Sequence, residues 1–397
     1  MAGNVVIAGV GMVPFAKPGQ SQPQDVMGAT AIQAALADAG IDYGHVQQAH
    51  AGYVYGDSCS GQAALYRVGM SGIPTTNVNN NCSSGSTAFA LAAQAVGYGA
   101  VDCALALGFE QMEPGALDAV FPHKVSGTHF HVEALLEAVN LTEDEIKNVP
   151  PALFMFACQI EQLCSEFGVS EKALARVAVK ARRHAAHNPN AIFRDPLTEE
   201  EILSQKPLYG RLRKLYACPP SCGAAAVIVC SEAFAKRHGV RSDIRLTGSG
   251  WCSDRAEYFN GNPLDIMFRA ISRDAAKTAY EEAGIGPDDI DVVELHDCFT
   301  SNEIITYAAL GLCKDEDVER FVLEDQNTYG GKVVVCPSGG LLSKGHPLGA
   351  TGLAQITELV WQLRGQAGKR QVEGASIALQ HNGGLGSAGF VHIFQRN

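Results

Sequence analysis

Basic residues are in short supply. Lysine and arginine number 30 against 42 aspartates and glutamates, a formal charge of −12. That balance argues against a nucleic-acid partner, because phosphate backbones are held by cationic surfaces. A local basic patch for a small anion stays open. No stretch approaches the ~18 uninterrupted apolar residues of a membrane-spanning helix. The opening "MAGNVVIAGVGMVPFAK" lacks the basic n-region and long apolar core of a secretion signal. The closing "VHIFQRN" is not of the peroxisomal tripeptide type. None of the twelve cysteines stands in a C-x-x-C pair, which disfavours a zinc centre or a disulfide framework. The expectation is a cytoplasmic protein in a reducing setting, with no metal and no permanently bound cofactor.

What is present describes a globular α/β chain. The 397 residues, 46% hydrophobic and 18% charged, can bury a large core in two or three domain-sized units. Glycine, at 42 residues, is abundant enough for many tight strand–helix turns. Strand and helix patterns alternate from the start: strand Val5–Val10, helix Asp25–Ala39, strand Gln48–Val54, helix Thr87–Tyr98 and strand Val101–Gly108. Residues 113–215 break that rhythm with charged helices such as "SEKALARVAVKARRHAAH" and loops such as "FPHKVSGTHFHV", and read as an insertion. The sheet resumes at "GAAAVIVCS", followed by a helix "EAFAKRHG". From Ile244 the pattern repeats itself. "DAAKTAYEEAGI" parallels "GATAIQAALADAGI", and "GASIALQHNGGLG" parallels "CALALGFEQ". An internal duplication is predicted: a first half in 1–112 plus 216–243, an inserted loop domain in 113–215, and a second half in 244–397.

Cys82 stands where the polar run "NVNNNC" turns into an apolar, alanine-rich helix. Apolar residues Ala88, Phe89, Leu91, Ala92 and Val96 fall at helical spacing. Small residues before the helix leave amide N–H groups free at its start, and those amides favour negative charge. A thiol placed there is expected to be acidified. The plain alternative is a small buried hydrophobe, a common fate of intracellular cysteine.

Three turns of the second half gather reactive side chains after predicted strands, where α/β sheets place catalytic groups. "ELHDCF" delivers His296, Asp297 and Cys298; "SKGHPLGATG" holds His346; "LQHNGGLGSAG" sets His381, Asn382, Gly383 and Gly384 beside exposed amides. Each has a modest explanation: a hydrogen-bonded surface histidine, a helix-start turn with proline near N1, glycines admitting positive φ. Their coincidence with a cysteine at a helix start is poorly explained by chance.

"NNNCSSGSTA", "ELHDCF", "SKGHPLGATG" and "LQHNGGLGSAG", in this order over nearly the whole chain, resemble the thiolases, in the branch related to the sterol carrier protein X thiolase domain. No appended sterol carrier domain is expected after the last strand. The resemblance implies a thiolase fold of duplicated five-layered αβαβα halves with an inserted loop domain. It also implies thiolytic cleavage of 3-oxoacyl-CoA, with coenzyme A and acyl-CoA as substrates and a homodimer or tetramer as the assembly; the alternatives are a C-acyltransferase or steroid side-chain retro-aldolase on the same scaffold, or a non-catalytic lipid carrier. Most thiolases carry N-E-A-F and a late C-x-G motif; here these read His296-Asp297-Cys298-Phe299 and "QHNGG". By resemblance, then, Cys298 takes the acid/base role and His296 replaces the asparagine. Relatives more often carry Asp at the Cys222 position; nothing assigns that change a role.

The chemistry so implied needs a soft nucleophile that can hold an acyl group. Cys82 would attack the C3 ketone with His346 accepting its proton. His296 and His346 would hydrogen-bond the enolate oxygen of the leaving acetyl-CoA, while Cys298 protonates the enolate carbon and then deprotonates the incoming CoA. The backbone amides of Cys82 and of Asn382–Gly383 would hold the tetrahedral oxyanion. Ser338 and Gly339 could border the pantetheine of CoA. Lys180, Arg182, Arg183, Arg211, Arg213 and Lys214 could meet its phosphates, or could form a solvated basic helix face.

Overall fold

A computed structural model describes residues 5–114, 123–386 and 388–397. Ten strands follow in chain order: β1 Val5–Met12, β2 Gln48–Gly52, β3 Thr75–Val78, β4 Cys103–Gln111, β5 Cys222–Ser231, β6 Ile244–Cys252, β7 Val292–Glu294, β8 Val334–Val335, β9 Ile377–Gly384 and β10 Ala388–Arg396. They lie in the order β3-β2-β4-β5-β1-β6-β10-β9-β7-β8. Counted as a second set of five, β6 to β10 repeat the order of β1 to β5 as a mirror image across the centre. Pairing senses repeat too. β2 is parallel to β3 and β4, as β7 is to β8 and β9, and the two inner pairs of each half are antiparallel. The halves join through β1 and β6, where Val6 registers with Arg245. The duplication predicted from the repeated patterns is thus written in the topology.

Five layers result, αβαβα, made by the two halves together. Helix Gln24–Ala39 packs on β1 and β5 of the first half, and helix Arg269–Ala283 packs on β6 and β10 of the second. Between the two sheet halves lie helices Ser84–Gly97 and Thr351–Leu363, in contact with each other. Both are buried on nearly every side, as a helix without a polar face must be. Leu353, Ile356, Leu359 and Val360 join Phe89, Val96, Val227 and Val229 in this central core. Each such side chain contributes about 1.5–3 kcal/mol when fully buried. The buried polar residues of helix Thr351–Leu363 have partners: Glu358 pairs with Arg370, and Gln362 donates to the Arg370 carbonyl.

Among its described residues the insertion is largely helical, with the longest helices at Gly127–Val139, Pro151–Phe167 and Glu171–Ala185. Residues 127–132, expected as loop, form the first turns of the helix Gly127–Val139. Ser126 and His129 close a capping box at its start, which satisfies the first-turn amides. Residues 121 and 122 of that segment lie outside the described residues. Among the described residues no helix is long and apolar enough to cross a membrane. All twelve cysteines are unpaired thiols.

Candidate active site

Cys82 sits one residue before Ser83, the N-cap of helix Ser84–Gly97. The asparagines and serines around it tie the turn. Asn81 adopts φ +51°, and the Ser83 and Ser84 amides donate to the Asn80 and Asn81 carbonyls at 3.1 and 3.0 Å. Those two amides are spent inside the turn, and burial overrides the expected acidification of the thiol. Burial instead pushes the Cys82 thiol up to about 12, against the smaller opposing effect of the Leu385 amide and its own. The thiol is protonated at rest and donates weakly to Asn81 Oδ1 at 3.6 Å. Asn81 in turn donates to the Leu385 carbonyl at 3.1 Å, fastening the cysteine turn to the end of β9.

The second half brings its histidines to the same place. His346 follows the short helix Gly340–Ser343, held by its own N–H to Ser221 Oγ at 3.0 Å. His296 follows β7, and its carbonyl accepts from Asn302 Nδ2 at 2.6 Å. The imidazoles meet edge to face with centroids 5.1 Å apart. Cys82 Sγ and one ring nitrogen each of His296 and His346 all lie within 4.8 Å of one another. That is also a spacing at which a metal ion could be held.

The ring of His346 has a defined proton. Its Nδ1 lies 2.7 Å from Thr351 Oγ1, whose own hydroxyl donates to the Pro347 carbonyl at 2.9 Å. Thr351 can then only accept from the ring, so Nδ1 carries the proton and Nε2 the lone pair. Nε2 is buried, with no hydrogen-bond partner among the described residues. Burial lowers His346 to about 3, which keeps the ring neutral. A neutral thiol thus faces a neutral imidazole, and charge would appear only when the sulfur attacks.

Cys298 is buried, and burial carries its thiol well above the ordinary range, with Cys218 and Cys82 adding to the effect. Cys218 responds to Cys82 in the same way. Its backbone N–H donates to the Cys298 carbonyl at 2.8 Å, so three thiols share this region. Cys218 had no assigned role in the sequence. Its closeness to the start of β5, four residues on, was the available signal. Asp297 accepts from the Leu341 amide at 2.7 Å, and burial raises it to about 7.

Other candidates are placed differently from expectation. Ser338 is fully buried with its amide and hydroxyl both given to Glu294, and a side chain at Gly339 would strike Ala185. That turn therefore offers no free hydroxyl to a ligand. Lys180 is no phosphate contact: it is 3% exposed and paired with Glu303. Arg211 pairs with Glu161 and Arg213 with Glu171, while Arg183 donates to Thr328. Arg182 lies 4.3 Å over the Phe193 ring, with Lys17 at 5.0 Å from the same ring. Lys214 lies in a short 3-10 turn. Asn382 and Gly383 belong to β9, registered with Phe390 and Gly389, and the Asn382 side chain reaches His296 Nδ1 at 2.9 Å. His381 is engaged at both nitrogens, by the His296 amide at 3.4 Å and by Ser272 Oγ at 2.9 Å.

Comparison with known proteins agrees with this construction. Residues 5–233 match the family described as thiolase, N-terminal domain, and residues 261–396 match thiolase C-terminal domain-like. Sterol carrier protein 2 of Oryctolagus cuniculus is 45% identical over 99% of this chain and 72% of its own length. Benzoylsuccinyl-CoA thiolase subunit BbsB of Thauera aromatica is 36% identical over 96% and 95%. Among solved structures, an Ltp2–ChsH2(DUF35) aldolase superposes with a TM-score of 0.82 at 22% identity, covering 100% of this chain and 98% of that one. Human mitochondrial 3-ketoacyl-CoA thiolase in complex with CoA superposes at 0.73 and 18% identity, over 99% and 98%. At those identities the two structures speak for the fold alone. The duplicated sheet, the cysteine at the helix start and both matched domains make this chain a member of the thiolase family.

Proposed function

We propose that this chain is an acyltransferase that cleaves 3-oxoacyl-CoA with coenzyme A, releasing acetyl-CoA or propanoyl-CoA and a shortened acyl-CoA, in fatty-acid or sterol side-chain degradation. One observation carries the reading: Cys82 Sγ within 4.8 Å of two buried imidazoles, one of which has a bare Nε2. The Cys82 proton passes to His346 Nε2 as sulfur attacks the C3 ketone. The oxyanion is held by the backbone amides of Cys82 and of Asn382–Gly383. The C2–C3 bond then breaks and its electron pair becomes the acetyl-CoA enolate, whose oxygen is hydrogen-bonded by His296 and His346. Cys298 gives its proton to C2. As a thiolate it then takes the proton of incoming CoA, whose sulfur displaces Cys82 from the thioester. Coenzyme A is thus a substrate, and no permanent cofactor enters the cycle. Twelve free thiols suit a reducing, cytoplasmic compartment. β3, the last strand of its sheet half, offers an edge at which a second copy could pair in a homodimer or tetramer.

Mixing the protein with a 3-oxoacyl-CoA in the absence of CoA, followed by intact-protein mass spectrometry, tests the central step. The expected result is one acyl adduct on the wild type and none on Cys82→Ala, which also loses thiolysis. An adduct with no CoA-dependent turnover would point to a C-acyltransferase with another acceptor. The absence of any adduct would leave a retro-aldolase or a lipid carrier.

A further inference from the structure

The two histidines need opposite protonation. His346 must present a lone pair to sulfur, and His296 must present an N–H to the enolate oxygen. Thr351 settles His346. For His296 the decisive atoms lie far from the ring, at the end of a buried chain of amides. Gln355 Nε2 donates to two main-chain carbonyls, Leu295 O at 2.8 Å and His381 O at 3.1 Å. Carbonyls only accept, so this amide has one possible orientation and its Oε1 points the other way. Oε1 accepts from Gln380 Nε2 at 2.8 Å. Gln380 Oε1 therefore faces His392 Nδ1, at 2.7 Å, and the second hydrogen of its Nε2 goes to Ser86 Oγ at 3.0 Å.

Ser86, receiving that hydrogen, turns its own toward Asn382 Oδ1 at 3.0 Å. Asn382 is thereby oriented with Nδ2 against His296 Nδ1 at 2.9 Å. An amide N–H there requires a lone pair on Nδ1, which puts the ring proton on Nε2. We propose that Ser86, Gln380 and Gln355 are positioning residues that lock His296 as an Nε2–H donor through Asn382. Every member of the chain is at most 1% exposed, so water cannot supply the alternative orientation. Gly352 closes the site from above: a side chain there would lie 2.2 Å from Ser86 Oγ and 3.1 Å from Asn382 Oδ1. The catalytic meaning of the lock rests on the thiolytic reading; the tautomer itself does not.

The test reads the proton directly. In protein labelled with 15N-histidine, long-range proton–nitrogen correlation distinguishes a bare from a protonated ring nitrogen, and His296→Asn identifies the His296 signals by their loss. The expected result is a bare Nδ1 and protonated Nε2 on His296. A protonated Nδ1, alone or together with Nε2, overturns the proposal whether or not the protein cleaves 3-oxoacyl-CoA. Missing thiolysis with the expected tautomer counts against the proposed function only. In Ser86→Ala the Asn382 amide is released to turn over. An Nδ1–H population should appear on His296, and kcat should fall by about 10- to 100-fold with KM within about twofold. A fall in kcat without any change of tautomer, or no change in either, would overturn the lock.

Discussion

At the scale of single residues, this site works by burial rather than by acidification. Burial raises Cys82 and Cys298 together and keeps His346 neutral. A resting thiol of this kind is a poor target for adventitious electrophiles and becomes nucleophilic only as its proton is removed. Cys298 carries the most specific consequence. His381 has both nitrogens engaged, and on the proposed thiolytic reading the Cys298 thiol carries the proton for C2. Cys298→Ala should still be acylated at Cys82 by a simple acyl-CoA, yet lose deuterium wash-in at C2 of acetyl-CoA by at least ~10²-fold. NMR in heavy water measures it. Wash-in at the wild-type rate would hand the role to another group, with Cys218, whose amide bonds the Cys298 carbonyl, the next thiol to examine.

At the scale of elements, small residues let the two central helices approach. Gly352 begins helix Thr351–Leu363 where its backbone passes Ser86. Alanine is favoured over glycine within a helix by about 1 kcal/mol. Here the added methyl would sit 2.2 Å from Ser86 Oγ and 2.7 Å from Ser86 N, and overpacking of this sort costs about 1–3 kcal/mol. The clash wins because one of the struck atoms is backbone. Gly352→Ala should lower the urea midpoint, by about 1–2 kcal/mol when converted through the m-value. A raised midpoint would show that the helices can part at no cost.

The elements themselves were legible in the sequence, since apolar periodicity and glycine turns are local. β1, β5 and the helices Gln24–Ala39 and Ser84–Gly97 fall within a few residues of their expected bounds. The gathering of Cys82, His296, Cys298 and His346 was legible through motif resemblance. The chain behind His296 was not: Ser86, Gln355 and Gln380 look like ordinary polar positions, and their partners are distant in sequence. Lys180 was misplaced for the same reason. A basic run suggests a solvated face, and only the fold reveals that Glu303 waits beneath it.

At the scale of the whole molecule, buried histidines govern the response to acid. His50 is lowered to about 4 and His184, His346, His381 and His392 to about 3, all by burial first. In the unfolded chain each takes a proton near about pH 6.5. Their folded values are depressed, so their contribution is complete above that pH and is lost as pH falls. Glu110 and Asp297, both raised to about 7 by burial, act in the opposite sense, since the folded state holds their protons longer. Near pH 7 the two sets roughly offset; below about pH 6 the imidazoles outnumber the carboxyls, and the unfolded state binds the excess protons. Urea midpoints should be level around pH 7 and fall steadily from about pH 6 to 5. A midpoint that climbed over that interval would mean the two carboxyls dominate.

The mirrored halves have a further consequence for the chain as it is made. Cys82 comes from the first half, while His296, Cys298 and His346 all come from the second. During synthesis at roughly 5–20 residues per second, the cysteine leaves the ribosome from about ten seconds to a minute before His346 exists. Through that interval it is an ordinary thiol without a base. Cys82 meets a base only when the two repeats join, and the same joining buries its thiol and raises it to about 12, so the fold that brings His346 to the sulfur also shields it from stray electrophiles.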